Sequence, residues 1–200
     1  MNRINKPSAL RLAALAAVLA LTACGGAASP PPPLAGAAIG GDFALTGSKG
    51  ETVRWDDFAG KYRVVYFGYA FCPDICPTDM QRVAQGMKTL KASHPDKAAK
   101  VAVIFITIDP ERDTPQVVGE FAAAFSPDII GLTGSPEQIA AAAKAFKVFY
   151  AKGEAVAGGG YLVDHSNIVY LFGPEGEPLA TLPTDQGADA VAAELGKWVS

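Results

Sequence analysis

Hydrophobic positions along the 200-residue chain fall into three regimes. Residues 12–21 are an unbroken apolar run of 10, about half of the ~20 that a membrane-spanning helix needs. Residues 25–41 carry no charge and sustain no period. From about Asp42 onward, short β-branched and aromatic runs alternate with stretches of helical spacing.

The third regime predicts one layered α/β domain over residues 42–200. Residues 43–45 and 52–54 flank Gly47-Ser-Lys-Gly50, a hairpin turn. Residues 55–58 read as one helical turn, stopped by Gly60. Residues 62–68 and 101–108 have the continuous apolar, β-branched character of buried central strands. Residues 77–93 between them read as a helix, which implies a right-handed crossover and a parallel pair. Asp109-Pro-Glu-Arg-Asp-Thr-Pro115 is a polar loop in which Thr114 can cap the next helix, with Pro115 at its first position. That helix presents Val117, Val118, Phe121, Ala124 and Phe125. A short strand at 129–132 precedes a helix opened by Ser135-Pro136, with Ile139, Ala143 and Phe146 inward. Strands are predicted at 148–152, 161–164, 168–172 and 178–182, the last two joined by a turn at 173–177. Ala188, Val191, Ala192, Leu195, Trp198 and Val199 fall on one face of a final helix.

The first two regimes read as an address and a tether. Arg3, Lys6 and Arg11 form a basic start with no acidic residue, and small residues end the apolar run, the pattern of a secretory signal. Leu21-Thr22-Ala23-Cys24 resembles a bacterial lipoprotein box, in which the cysteine is acylated and becomes the mature N-terminus. The alternative is an ordinary signal peptide with Cys24 incidental. Residues 1–23 are therefore expected to be a lipoprotein signal peptide, and residues 24–41 a lipidated Cys24 followed by a flexible tether. Pro30 to Pro33 stiffen the tether locally. Fully stretched, residues 25–41 reach ~55 Å.

Charge narrows the partners. The whole chain carries 17 Lys+Arg and 20 Asp+Glu, a net charge of −3. Without the three basic residues of the leader, 14 basic residues face 20 acidic ones. That balance gives no basis for a nucleic-acid partner. It also points to acyl chains rather than charge as what holds the protein to a membrane. Two histidines exclude any site built on several imidazoles, and three cysteines leave one to be explained.

Cys72-Pro-Asp-Ile-Cys76-Pro lies between a buried strand and a helix, where ligand sites of open α/β sheets collect. Cys76 is expected near the helix N-cap, where the dipole and free N–H groups lower a thiol pKa. A turn-like path can bring the two sulfurs together, as a disulfide or as two ligands of one ion. His165 is the strong candidate for a third ligand, whereas His94 sits at a polar helix exit. A set of two cysteines and one histidine is soft enough for Cu(I) and satisfies Cu(II) with one weak further ligand or water. Zinc is the rival, but its structural sites want four closed ligands. Calcium and magnesium want oxygen. Met80 and Met87 share a helical face that fits core packing better than ligation. Asp74 and Asp79 either tune the site or exploit the helix N-terminus. Asp164 should point to the opposite face of the strand from His165.

Three blocks carry a family resemblance: Gly68-Tyr-Ala-Phe-Cys72-Pro-Asp-Ile-Cys76-Pro-Thr, Asp109-Pro-Glu-Arg-Asp-Thr-Pro115, and Val163-Asp-His165-Ser with Tyr170-Leu-Phe-Gly-Pro-Glu-Gly176. In order and spacing they resemble the Sco/SenC family, copper-binding assembly factors of cytochrome c oxidase. The resemblance implies a thioredoxin-like three-layer sandwich with a central mixed sheet and an N-terminal hairpin. It puts the copper ligands on Cys72, Cys76 and His165, with Cys72 and Cys76 also able to close as a redox disulfide. It implies a metallochaperone that needs no turnover. Its expected partners are an oxidase subunit that receives copper, and a periplasmic copper donor or thiol reductant. The expected location is exported, lipid-anchored and periplasm-facing, with the inner membrane favoured. The competing reading is a periplasmic thiol–disulfide oxidoreductase, although that chemistry has no use for His165. Cys76-Pro-Thr also resembles a peroxiredoxin segment, but that pattern requires Pro and Thr where this chain has Tyr69 and Pro73.

Overall fold

The computed structural model describes residues 30–155 and 160–200. Strands β1 (Ala44–Gly47) and β2 (Thr52–Arg54) form the expected N-terminal hairpin. Strands β3 (Tyr62–Gly68), β4 (Val101–Thr107) and β5 (Ile129–Thr133) run parallel, and β1 joins β5 antiparallel. Among the described residues, strands β6 (Tyr150–Ala155) and β7 (Tyr161–His165) pair only with each other, as a separate antiparallel hairpin. Strands β8 (Val169–Phe172) and β9 (Pro178–Leu182) add antiparallel beside β3. The main sheet has seven strands in the order β2-β1-β5-β4-β3-β8-β9.

Two buried faces explain the continuous apolar strands. Residues of β3 alternate in direction. On one face Tyr66 reaches Asp79 of α1 (Ile75–Ser93), and its register partner Phe105 packs on Phe121 of α3 (Pro115–Ala123). The short α2 (Pro95–Ala98) follows α1 directly. Helix α5 (Ala188–Trp198) lies against α1 where Gly86 meets Val191; an added Cβ at Gly86 would stand 2.6 Å from that side chain. On the opposite face Phe67 meets Phe146, which caps α4 (Pro136–Ala145), and Trp55 wedges between Phe146 and Phe172. This is the three-layer thioredoxin-like sandwich with a mixed sheet. The starts of α3 and α4 also follow expectation. Thr114 Oγ1 accepts the Val117 N–H, Ser135 and Gln138 form a capping box, and a proline occupies the first turn of each helix.

Three boundaries differ from the sequence reading. Helix α1 begins at Ile75 rather than Pro77. The first-turn N–H groups of a helix have no partner within it, so a proline at the third position removes no bond. Strand β6 starts at Tyr150, two residues late, after Lys147 takes a positive φ of 56°. The domain also begins earlier than Asp42. Residues 34–41 lie on the body: the Leu34 N–H donates to the Leu179 carbonyl at 2.9 Å and the Gly40 N–H to Ala145 at 3.1 Å. Leu34 and Ile39 pack on the core, and the compact unit runs Pro32–Ser200. The isolated apolar residues of an uncharged, glycine-rich stretch carry no period, so this docking left no sequence signal. Residues 32–41 of the expected tether therefore belong to the compact unit, and its residues 24–29 lie outside the described residues. The expected signal peptide, lipoprotein box and acylated Cys24 lie outside the described residues.

Gly40 fixes the path of this strap. Its φ is +95°, and an added Cβ would lie 2.7 Å from the Phe172 ring. Gly40→Ala is expected to destabilise the protein by about 1–3 kcal/mol, read from its urea unfolding midpoint. An unchanged midpoint would show that residues 34–41 contribute nothing to the fold.

Candidate metal centre

The site starts where β3 ends. Gly68 is the last residue of β3, and the chain then turns, with the Cys72 N–H on the Tyr69 carbonyl, before entering α1. Cys72 and Cys76 are both free and buried, with Cys76 wholly enclosed. The Cys76 N–H points at Cys72 Sγ, 3.4 Å away. A donor of the first helical turn is thus directed at Cys72 rather than at Cys76. This corrects the expected lowering of the Cys76 pKa. Burial pushes the Cys76 thiol well above its ordinary value, and the neighbouring Cys72 sulfur adds to the rise. Removal from water outweighs the helix terminus.

His165 ends β7, opposite Tyr150 in β6. Its Nε2 lies 3.3 Å from Cys76 Sγ, and its Nδ1 lies 2.9 Å from the Ser166 carbonyl. A carbonyl only accepts, so the Nδ1 proton is held there and Nε2 presents its lone pair to the sulfurs. Cys72, Cys76 and His165 bring one ligand atom each within 4.8 Å of one another. The edges of Tyr66 and Tyr69 flank the imidazole at 6.2 and 6.0 Å between centroids.

Other sequence candidates sort clearly. Asp79 is buried and accepts the Tyr66 hydroxyl at 3.1 Å; burial raises its pKa. Burial likewise raises the Tyr66 phenol, with further contributions from nearby Cys76 and Asp79. Asp74 stands exposed at the α1 N-cap position without a side-chain cap bond. Met80 is fully buried in the core, and Met87 packs against it. Asp164 is exposed. His94 caps the far end of α1, with Nδ1 3.0 Å from Ser93 Oγ, away from the site.

Two features had no assigned role in the sequence. Gly68 makes room for the sulfur: an added Cβ would stand 3.0 Å from Cys76 Sγ and 2.9 Å from the Tyr66 ring. Its signal is a glycine closing an otherwise bulky strand. Asp113, in the polar loop after β4, is fully buried; it accepts the Ala70 N–H at 2.8 Å and the Thr107 hydroxyl at 2.6 Å. It thus pins the cysteine loop to β4. Its signal was the Asp109–Pro115 block, which resembled the family without indicating what the loop holds.

The model of the SCO1/SenC family matches residues 32–200. The chain belongs to the SCO1/SenC family. This family member is 43% identical over 139 residues to the mitochondrial SCO1 homolog 1 of Arabidopsis thaliana, covering 70% of this chain and 40% of that protein. It is 41% identical over 165 residues to SenC of Rhodobacter capsulatus, covering 81% and 71%. Arabidopsis thaliana ScoI, solved with copper bound, superposes with a TM-score of 0.73 at 38% identity, covering 80% of this chain and 97% of that one. The chain spans about half the length, or less, of the mitochondrial relatives it matches.

Two measurements check this site. In the reduced protein at pH 7, alkylation of Cys76 should be at least about tenfold slower than that of an unstructured thiol. A raised pKa puts thiolate formation above neutrality, so the rate should still climb at a pH where a free thiol has levelled off. Rapid alkylation of Cys76 at pH 7 would contradict the geometry. Gly68→Ala should displace the Cys76 sulfur and weaken metal binding about 10-fold or more, as read by titration; wild-type binding would remove Gly68 from the site.

Proposed function

We propose that this chain is a copper-binding metallochaperone that supplies copper to, or reduces the thiols of, the copper centre of cytochrome c oxidase during its assembly. The observation that carries the proposal is the 3.3 Å approach of Cys76 Sγ and His165 Nε2, 89 residues apart in sequence, with Cys72 beside them. Two soft sulfurs and one imidazole nitrogen complete a three-coordinate Cu(I) site and hold Cu(II) with one added water. A closed zinc site wants four ligands, and this cluster offers three. The copper bound in the Arabidopsis thaliana relative supports the choice of metal.

Copper here is cargo. Binding replaces thiol protons by the metal, so it is coupled to pH. Oxidation ends binding: Cys72 and Cys76 join through a new S–S bond, two electrons pass to a partner disulfide, and the two partner sulfurs leave as thiols carrying the protons. The disulfide has no thiolate left for copper. Cys24, acylated and left as the N-terminus by removal of residues 1–23, would anchor the domain, exported and facing the periplasm, with the inner membrane favoured. Its sulfur would then be unavailable, which leaves Cys72 and Cys76 as an even pair. The partners on this reading are the copper-receiving oxidase subunit and a periplasmic copper donor or thiol reductant.

The second reading, a thiol–disulfide oxidoreductase, draws on the two free adjacent thiols. One titration separates the two. The reduced protein should bind one equivalent of copper and show a thiolate-to-Cu(II) absorption band. His165→Ala should weaken binding by about 10-fold or more. Copper binding unchanged in His165→Ala, together with rapid turnover of a disulfide substrate, would overturn the chaperone reading in favour of the oxidoreductase.

A further inference from the structure

His165 does not belong to the main sheet. It is carried by the β6–β7 hairpin, which pairs with no other strand among the described residues, while both sulfurs stand at the β3–α1 junction. Something must hold the hairpin at the sulfurs, and several of the contacts that do so converge on one side chain. Arg112 Nη1 donates to the Tyr161 carbonyl, at the first residue of β7, at 2.9 Å. Its guanidinium lies over the Tyr161 ring, 3.7 Å from the centroid. The same guanidinium lies 5.6 Å from the Tyr69 ring and 5.2 Å from that of Phe71, the residue before Cys72. Arg112 therefore touches the hairpin that bears His165 and the loop that bears Cys72.

The arginine is itself held. Its Nε donates to Asp109 Oδ2, and Asp109 Oδ1 accepts the Tyr161 hydroxyl at 2.7 Å. Its Nη2 is buried and has no hydrogen-bond partner among the described residues, as suits a group enclosed by aromatic faces. Three further contacts tie the hairpin down: the Val163 N–H to the Tyr69 hydroxyl at 3.3 Å, the Tyr161 hydroxyl to Glu111 Oε2 at 3.3 Å, and the exposed Lys152–Glu111 pair. The two at Glu111 are solvated and weak. The planar guanidinium suits the bridging role, because its fixed fork serves Asp109 and the Tyr161 carbonyl while its face stacks on rings. A lysine ammonium does none of this in combination.

We propose that Arg112 is a positioning residue of the metal centre: it latches the His165 hairpin to the cysteine loop and so sets whether the site has two sulfurs and the imidazole or the two sulfurs alone. This rests on the copper reading above. Arg112 makes no hydrogen bond to either sulfur or to the imidazole. Its effect on copper passes through His165, and the dithiol stands without it.

The test is a double-mutant cycle on the full chain, reduced and titrated with copper alone. Arg112→Ala should lower Cu(II) affinity about 10–100-fold and move the thiolate-to-Cu(II) band toward that of His165→Ala. In the His165→Ala background the same change should cost nothing further. Arg112→Lys, which keeps the charge but not the fork, should behave like Arg112→Ala. Tyr161→Phe keeps the ring under the guanidinium and removes the hydroxyl's bonds to Asp109 and Glu111; it should give a smaller shift in the same direction, and it serves as the milder variant should Arg112→Ala fold poorly. Reduction of the Cys72–Cys76 disulfide by dithiothreitol should proceed at the wild-type rate in every Arg112 and Tyr161 variant. The latch is overturned if Arg112→Ala weakens copper binding equally in both backgrounds, if Arg112→Lys restores it, or if both Arg112→Ala and Tyr161→Phe leave the band unmoved. Unchanged affinity in His165→Ala alone would instead overturn the three-ligand reading, and the latch with it.

Discussion

The contact between Cys76 Sγ and His165 Nε2 organises the rest of the molecule. One atom stands on the core, at the joint of a buried strand and a helix. The other stands on a hairpin outside the main sheet. The parallel register of β3 and β4 is the main device that joins them. Gly68 lies opposite Thr107, and the Ile108 N–H donates to the Gly68 carbonyl at 2.8 Å. The loops that follow the two strands therefore leave the sheet side by side. One carries the cysteines; the other carries Asp109, Arg112 and Asp113. Asp113 reaches back to the cysteine loop through Ala70, and Arg112 reaches outward to β7 through Tyr161. A strand register is in this way converted into a sulfur–nitrogen distance.

Burial sets the chemical state of that contact. A helix N-terminus is worth about 0.3–2 kcal/mol to a nearby anion, or roughly one pKa unit or so by the 1.36 kcal/mol equivalence. Enclosing a thiol in apolar surroundings can move its pKa by several units in the other direction, up to ~3–5 for a fully buried group. Cys76 is wholly enclosed, among Tyr66, Phe105 and Gly68, so burial wins. The reduced protein carries a neutral thiol there instead of a stranded anion. A soft cation supplies the positive charge that makes the thiolate favourable in the same place, so metal and proton compete for one sulfur.

The central layer was legible because buried parallel strands need continuous apolar residues, and residues 62–68 and 101–108 have them. The capped starts of α3 and α4 were legible because Thr114-Pro115 and Ser135-Pro136 state their geometry locally. The cluster of Cys72, Cys76 and His165 was legible because two histidines leave little choice, and the family resemblance selected His165. What stayed hidden is non-local. The docking of Leu34 on Leu179 depends on an edge strand that forms about 140 residues later. The state of Cys76 depends on enclosure, which a motif does not encode; reasoning from helix position alone gave the wrong sign. The roles of Asp113 and Arg112 depend on which loops the sheet brings together, and a polar loop in one dimension names no partner.

The division of the ligands between two structural units has a consequence for how such a site lets go of its metal. Both sulfurs sit on one joint, so on the copper reading a single oxidation would remove two ligands at once, leaving an imidazole that cannot hold copper by itself. The nitrogen sits on a hairpin tied to the body by the Arg112 cluster and a few backbone bonds, so withdrawing it removes one ligand and leaves the dithiol intact. Neither event requires the seven-stranded sheet to move. On the copper reading, affinity for copper and reactivity of the thiol pair would have separate structural determinants within one site: the 109–113 loop for the first, and the β3–α1 junction for the second. On this reading the third ligand is added from outside the main sheet, without altering the joint on which the two thiols stand.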